Sequence, residues 1–293
     1  MAEISGGSIR AQATWQVPDL MAFVRRYPAI SIGFVLMLVL ATLSIAAPVL
    51  SPYDPLDISP GQRLRPPSFL HLFGTDALGR DVFSRTLWGG RVSLLVGVTV
   101  AAASVLIGLV VGVLSGYIRA FDFVVMRIMD GLMAIPAILV AVAIATMTKG
   151  SIGAIIVSIS IAEIPRVVRL VRSLVLGVRE QSYIEAAKAI GTPTPYVIIR
   201  HILPNIVSPL IVQATYICAS AVIVEAYLSF LGAGTPPDTP SWGNIMAEGR
   251  AVVQLGFWVI LYPGLFLAAT VLSINMLGDG LRDLLDPHVG RRI

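Results

Sequence analysis

Ser182-Tyr183-Ile184-Glu185-Ala186-Ala187-Lys188-Ala189-Ile190-Gly191-Thr192-Pro193 is a small polar island between two strongly apolar stretches of the chain. Ser182 and Glu185 have the spacing of a capping box, in which a hydroxyl and a carboxylate three residues later satisfy each other's free backbone amides and start a helix. Gly191 and Pro193 end it. The helix so defined has about two turns, too few to be stable alone in water, and must therefore dock on something. Ala186, Ala187 and Ala189 would let a partner surface approach closely. Leu203-Pro204 opens the next apolar run and couples the docked piece to it.

Outward from this island the chain is apolar on a scale that a soluble core cannot absorb. Of its 293 residues, 56% are hydrophobic and 13% charged, where soluble domains carry about 25% charged side chains. The mean hydropathy is +0.84. Uncharged runs cover 27–53, 92–118, 131–148, 150–162, 201–224 and 251–278, and crossing a bilayer takes about 20 such residues. Five of the six suffice alone. The fourth does so only if its helix continues through Glu163, Pro165 and Arg166, and the three-residue spacing of Arg166, Arg169 and Arg172 keeps them near one face of such a helix. The expectation is an all-α polytopic membrane protein of six transmembrane helices. The first run exceeds the apolar core of a signal peptide and reads as a retained anchor.

Charge sets the direction. With cytoplasmic termini, fourteen of the 21 basic residues fall inside, Arg25, Arg26, Arg119, Arg127, Arg179, Lys188 and Arg200 among them, as the positive-inside rule requires. The pI near 9.5 then serves topology and lipid headgroups, and no basic cluster with interleaved aromatics suggests nucleic acid. The organisation that follows is a cytoplasmic segment 1–26, a first helix 27–50, an extracytoplasmic loop 51–91, a five-helix core 92–287 with the short docked helix at 181–191, and a cytoplasmic tail 288–293. Within the loop, 75–91 reads as an amphipathic helix with Leu78, Val82, Phe83, Thr86 and Leu87 on one side and Asp76, Arg80 and Asp81 elsewhere. The Gly- and Pro-rich stretch 232–243 reads as a structured cap or re-entrant loop.

Several chemistries are missing. No Gly-Lys dipeptide occurs, so no phosphate-binding loop exists and the chain carries no ATPase site. The histidines His71, His201 and His288 are scattered, with no metal-binding pair. Cys218 is alone, which excludes a disulfide framework. No serine sits in a nucleophile elbow. Charges at membrane depth remain the functional candidates. Glu163 and Arg166, at helical neighbour spacing, read either as a wet lining of a transport pathway or as an ion pair that neutralises itself for insertion. Glu225 reads as a pathway group or as an interfacial carboxylate reaching headgroup water.

Glu185-Ala186-Ala187, Gly191 and Leu203-Pro204 together resemble the Glu-Ala-Ala signature of the permease subunits of ATP-binding-cassette importers, with His201 where that pattern has Ile. His201-Ile202-Leu203-Pro204-Asn205 is similar to the dipeptide, oligopeptide and nickel subgroup. So are Gly74-Thr75-Asp76-Ala77-Leu78-Gly79-Arg80-Asp81, Leu228-Ser229-Phe230-Leu231-Gly232, Pro240-Ser241-Trp242-Gly243, and Leu277-Gly278-Asp279-Gly280-Leu281-Arg282-Asp283 with Asp286-Pro287, which resemble its C-type subunit. The resemblance implies a type I importer permease fold in the inner membrane. It implies a homologous permease as partner, two ATPase subunits that bind ATP and Mg, and an extracytoplasmic substrate-binding protein. Glu185, Ala186, Ala187, Gly191, Leu203 and Pro204 would form the ATPase-coupling element, and the chain itself would hold no cofactor. Short peptides are the implied cargo, with nickel, glutathione or opines as alternatives within the family. An autonomous channel would want a repeated pore loop, and a membrane hydrolase a catalytic dyad; neither is visible.

Overall fold

In a medium without water every backbone amide must find its partner within its own helix, and the chain obeys this nearly throughout. The computed structural model describes residues 20–147, 151–236 and 238–285. The tail 288–293, the pair Asp286-Pro287 and the first 19 residues of the N-terminal segment lie outside the described residues. The helices are α1 (Leu20–Arg26), α2 (Pro28–Ile45), α3 (Ala47–Leu50), α4 (Val82–Tyr117), α5 (Arg119–Ala134), α6 (Ala137–Met147), α7 (Ile152–Arg179), α8 (Ser182–Ala189), α9 (Thr194–Val197), α10 (Leu203–Phe230), α11 (Trp242–Gly249) and α12 (Trp258–Leu285). The only strand-like pairing among the described residues is a single antiparallel bridge between Thr75 and Asp81. By length and composition α2, α4, α12 and the continuous stretch Thr194–Phe230 can each cross a membrane, and the bent pair α5 and α6 makes a fifth candidate.

Two expectations need correction. The run 131–148 is not one helix. Pro136 forces the residue before it out of the helical region, Ile135 is extended at φ −95°, ψ 133°, and α5 meets α6 at 88°. The segment 75–91 is not an interfacial helix either. Asp76 spends its carboxylate on the amides of Leu78 and Arg80, at 2.8 and 2.9 Å, and Gly74 and Gly79 take positive φ, so the first seven residues form a turn. Asp81 then caps α4 by accepting from the Ser84 amide at 2.7 Å, and the helix runs unbroken for 36 residues. Both sides of the segment are covered: Asp76, Arg80, Asp81 and Arg85 are buried, and so are Val82, Thr86 and Leu87, while Leu78 is 39% exposed.

Asp76, Arg80 and Arg85 form one cluster with Glu248. Asp76 accepts from Arg80 Nε and from Arg85 Nη1, each at 2.6 Å. Glu248 of α11 accepts from Arg85 Nη1 at 2.6 Å and also pairs with Arg80. This ties the loop before α4 to both α4 and α11. Below it Trp242, fully buried, donates from its indole to the Thr86 carbonyl at 2.9 Å.

Glu225 corrects a third expectation, that of a carboxylate reaching headgroup water. It is fully buried. Its oxygens accept from Ser93 of α4 at 3.0 Å, from Ser229 of α10 at 2.9 Å and from Ser241 at 2.8 Å. Ser241 is at the same time the N-cap of α11, in a capping box with Asn244. One carboxylate thus fastens three helices, α4, α10 and α11, at one end of the bundle.

Through the middle, α4 packs along α7, α10 lies against α4 and α12, and α2 rides on α12 and α4. The α4–α7 seam is the most extensive. Gly108, Gly112 and Gly116 face Val167, Val171 and Val175, a four-residue period on both sides, and a Cβ added at Gly112 would lie 2.6 Å from the Val171 Cβ. All three valines are fully buried. Small residues that let backbones approach are the means by which helices associate where lipid removes the hydrophobic incentive.

Gly112→Leu is therefore expected to cost about 1–3 kcal/mol through overpacking and to lower the melting temperature of the detergent-solubilised protein. Gly131→Ala on α5, where nothing lies within 4 Å, is expected to leave it unchanged or slightly raised. An equal response at the two sites would refute the seam. At the three-helix junction, Glu225→Ala leaves three buried hydroxyls without their acceptor, each loss worth about 1–3 kcal/mol, and the same melting assay should register a large drop. Glu225→Gln keeps an acceptor oxygen and should register a smaller one.

Candidate functional site

The coupling candidates sit at the opposite end of the molecule from the Asp76 cluster. α8 has no capping box: Gln181 takes the N-cap position with extended geometry and without a side-chain cap, and Ser182 is already the first helical residue. The Ser182–Glu185 spacing is therefore one position too late to close reciprocally. The C-terminal end follows expectation. Gly191 adopts φ +83°, the Thr192 amide donates to the Ala187 carbonyl at 3.1 Å and the Gly191 amide to that of Lys188 at 2.9 Å. These are the paired bonds of a Schellman motif, whose left-handed residue carries no Cβ penalty only when it is glycine.

One side chain anchors α8. Ile184 is fully buried in the main core with Val197 and Ile202, whereas Glu185, Ala186, Lys188 and Ala189 are exposed and Ile190 is 83% exposed. The Lys188 ammonium also lies 5.8 Å above the Tyr117 ring at the end of α4. Arg179, ending α7, lies 5.5 Å from that ring and donates to the Gly116 carbonyl at 2.9 Å. Together they frame an open cavity of 980 Å³ bordered by Asp122, Arg172, Glu180 and Glu185. Beyond Gly191 the chain passes through α9 and a π-helical turn, Ile198–Ile202, directly into α10 at Leu203. Pro204 fits there because the first turn of a helix needs no amide donor. Glu185, Ala186, Ala187 and Gly191 thus share one motif, and Leu203 and Pro204 are reached from it without a flexible joint.

His201 has a role that its sequence position does not reveal. Its ring lies 6.2 Å from both Tyr183 of α8 and Tyr196 of α9, edge-on, while the Asn205 amide donates to the His201 carbonyl at 2.6 Å and to the Tyr183 hydroxyl at 3.4 Å. Aromatic spacing across a loop of unknown geometry carries no signal that a sequence can supply.

α7 carries the other candidates, and it is one continuous helix through Pro165. The buried Glu163 accepts from Arg166 Nη1 at 3.0 and 3.1 Å, and from the Ser220 hydroxyl of α10 at 3.4 Å. Arg169 pairs with Asp130 at 2.5 Å, and Arg172 makes a fork with Asp122, one arm at 2.6 Å. The arginine face of α7 is therefore answered charge for charge, twice by α5 and once by its own Glu163. The three pathway candidates separate: Glu163 and Arg166 meet, and Glu225 is enclosed by serines elsewhere.

The chain resembles known proteins over most of its length. The probable peptide ABC transporter permease protein y4tQ of Sinorhizobium fredii is 48% identical over 277 residues, 94% of this chain and 95% of that protein. The dipeptide transport system permease protein DppC of Alkalihalophilus pseudofirmus is 39% identical over 88% of this chain and 85% of its own length. Among solved structures, a chain of the MetNI methionine ABC transporter in an inward-facing conformation superposes with a TM-score of 0.58 at 22% identity, covering 69% of this chain and 96% of that one. The fold is therefore that of an ABC importer permease. Residues 104–291, more than half of the chain, match the model for the inner membrane component of binding-protein-dependent transport systems, and the chain belongs to that family.

Proposed function

We propose that this permease carries short peptides, as one of two homologous but different permease subunits that together enclose the pathway. An extracytoplasmic binding protein delivers the cargo and two ATPase subunits, which hold ATP and Mg, drive it. The peptide assignment is supported by the names of the two relatives, a peptide and a dipeptide permease, at 48% and 39% identity. Six spans with both termini cytoplasmic complete the reading. The sixth span is α7: its 28 residues rise about 42 Å at 1.5 Å per residue, and its arginines enter paired, which lowers the cost of burying them. Leu203 and Pro204, opening α10, would carry motion of α8 into the membrane.

The observation that carries the mechanical part is α8 itself. It is a two-turn helix fixed in the core by Ile184, with Glu185, Ala186 and Ala189 left exposed, joined to α7 within three residues and to α10 through α9 and the π-helical turn. Such a helix is stable only while something holds it, and its exposed alanine face has room for a groove to close over. Seated in an ATPase subunit, Glu185, Ala186, Ala187 and Gly191 would pass the closure of that subunit to two membrane helices at once.

Two measurements test this. For topology, with Cys218→Ser as background, Asp57→Cys and Asp238→Cys are expected to react with a membrane-impermeant maleimide in intact cells, and Thr194→Cys only after permeabilisation. Labelling of Thr194→Cys from outside would invert the orientation. For coupling, Ala186→Trp adds bulk where the chain itself leaves space, so its folded subunit should be unperturbed. Overpacking of a contact by about 1–3 kcal/mol should then weaken co-purification of the ATPase subunits by about 5- to 150-fold. Gly191→Val meets no neighbour within 4 Å but sits at φ +83°, so it should misaim α8 and reduce uptake while insertion persists. Normal ATPase retention and uptake in both variants would remove α8 from the coupling role.

A further inference from the structure

Arg166 uses one of its three nitrogens. Nη1 serves both oxygens of Glu163, while Nε and Nη2 have no hydrogen-bond partner among the described residues. The two side chains are also unequally covered, Glu163 4% exposed and Arg166 42%. The carboxylate faces α10, where Ser220 caps it. Arg166 also lines a pocket of 190 Å³, where the break between α5 and α6 leaves a gap against α7.

The remaining wall of that pocket is apolar: Ile135, Pro136, Val140, Ile161 and Ala162. The nearby acidic groups of α5 do not compete for the arginine, since Asp130 is taken by Arg169 and Asp122 by Arg172. Arg166 lies fourteen residues into α7, about 21 Å along the helix, well away from either end. A guanidinium with a free edge beside an apolar recess is a receptor for an anion. Its planar fork matches a carboxylate or a phosphate with two parallel bonds. Glu163 has a separate task there, holding the guanidinium in place and cancelling its charge when the recess is empty.

We propose that Arg166 receives the C-terminal carboxylate of the transported peptide in this recess. The proposal rests on the peptide reading above. A carrier of short peptides of differing sequence can rely only on what all of them share, the backbone and the two termini, and a cationic fork selects the acidic terminus. The recess is smaller than the roughly 300–1,000 Å³ of sites that enclose a whole drug-sized ligand. It therefore takes one end of the peptide, the rest lying in the pathway toward the partner permease.

The test uses the complete importer in vesicles of phosphatidylcholine, with tritiated trialanine supplied on the loaded binding protein and p-benzoylphenylalanine in place of Val140. Photolysis during turnover is expected to capture labelled peptide at that position and not at a control placed at the outward-facing Leu272. Capture should fall at least tenfold with Arg166→Gln. Because that change strands Glu163, the double variant Glu163→Gln with Arg166→Gln, uncharged and still polar, is measured too. Its ATPase subunits should co-purify normally while capture stays lost, and Arg166→Lys should restore part of it. Undiminished capture in an assembled Arg166→Gln or double variant would overturn the proposal and leave the peptide reading standing, as would uptake without capture at position 140. In vesicles containing phosphatidylglycerol, capture of that lipid in place of peptide would also overturn it. Absence of trialanine uptake by the unaltered importer would bring down the peptide reading, and this inference with it.

Discussion

Three valines of α7 seated on three glycines of α4 set the geometry on which the remaining elements depend. Apolar side chains gain nothing by leaving lipid for protein, so the association of two membrane helices must come from close fit, and Gly108, Gly112 and Gly116 supply it by having no Cβ to separate the backbones. A seam of this kind does not slide, because each valine occupies its own gap. The N-terminal end of α4 bears the Asp76 and Arg85 cluster together with Ser93, which reaches Glu225. The C-terminal end of α7 carries Arg179 and leads within three residues to α8. A displacement of α8 on the proposed reading would therefore move a welded pair of helices, with α11 and the loop before α4 attached to it.

The parts of this fold that were legible from sequence were those governed by local rules. Uncharged length gave the helices, the spacing of Arg166, Arg169 and Arg172 placed them on one face of a continuous α7, and Gly191 before Pro193 gave a left-handed stop. Two of the errors share one cause. A helical pattern states which residues lie on the same side, and the habit of soluble proteins assigns the apolar side to the core. In a membrane protein, lipid takes the apolar side, and the interior accepts polar groups that satisfy each other. At 75–91 the charged Asp76, Arg80 and Arg85 are buried alongside Val82 and Leu87, so both sides of the segment face protein. Glu225 was misjudged for the same reason, its three serine partners lying 4, 16 and 132 residues away. The break at Pro136 was available locally, through its effect on Ile135, and was hidden by the length of the apolar run around it. The capping box failed by one residue, within the usual uncertainty of a helix start.

Charge accounts for why so many ionisable groups are tolerated. An unpaired ion at membrane depth costs several kcal/mol, and pairing recovers part of that. The pairs here differ in what they connect. Arg169 with Asp130 and Arg172 with Asp122 join α7 to α5, holding a helix that departs from α6 at 88° and so cannot be positioned by the span it belongs to. The Asp76, Arg80, Arg85 and Glu248 group joins a loop to α11. Each replaces packing that the local backbone geometry prevents.

The two buried glutamates show how the completeness of a network separates support from recognition. Glu225 is closed off: three hydroxyls donate to its two oxygens, the donors belong to three different segments, and no surface remains for anything else. Removing it can only loosen that end of the bundle. Both oxygens of Glu163 accept from a single nitrogen of Arg166, with Ser220 adding a third bond, so the unused donors of that site lie on the cation, which is also the half-exposed member. Evolution toward stability alone would have no reason to retain a guanidinium there, since burying an ion pair is often no better than well-packed apolar side chains of the same volume. What such a pair offers beyond stability is a fixed positive group with donors to spare. Insertion demands that the charge be cancelled, and recognition demands that part of it stay available; pairing through Nη1 alone meets both conditions.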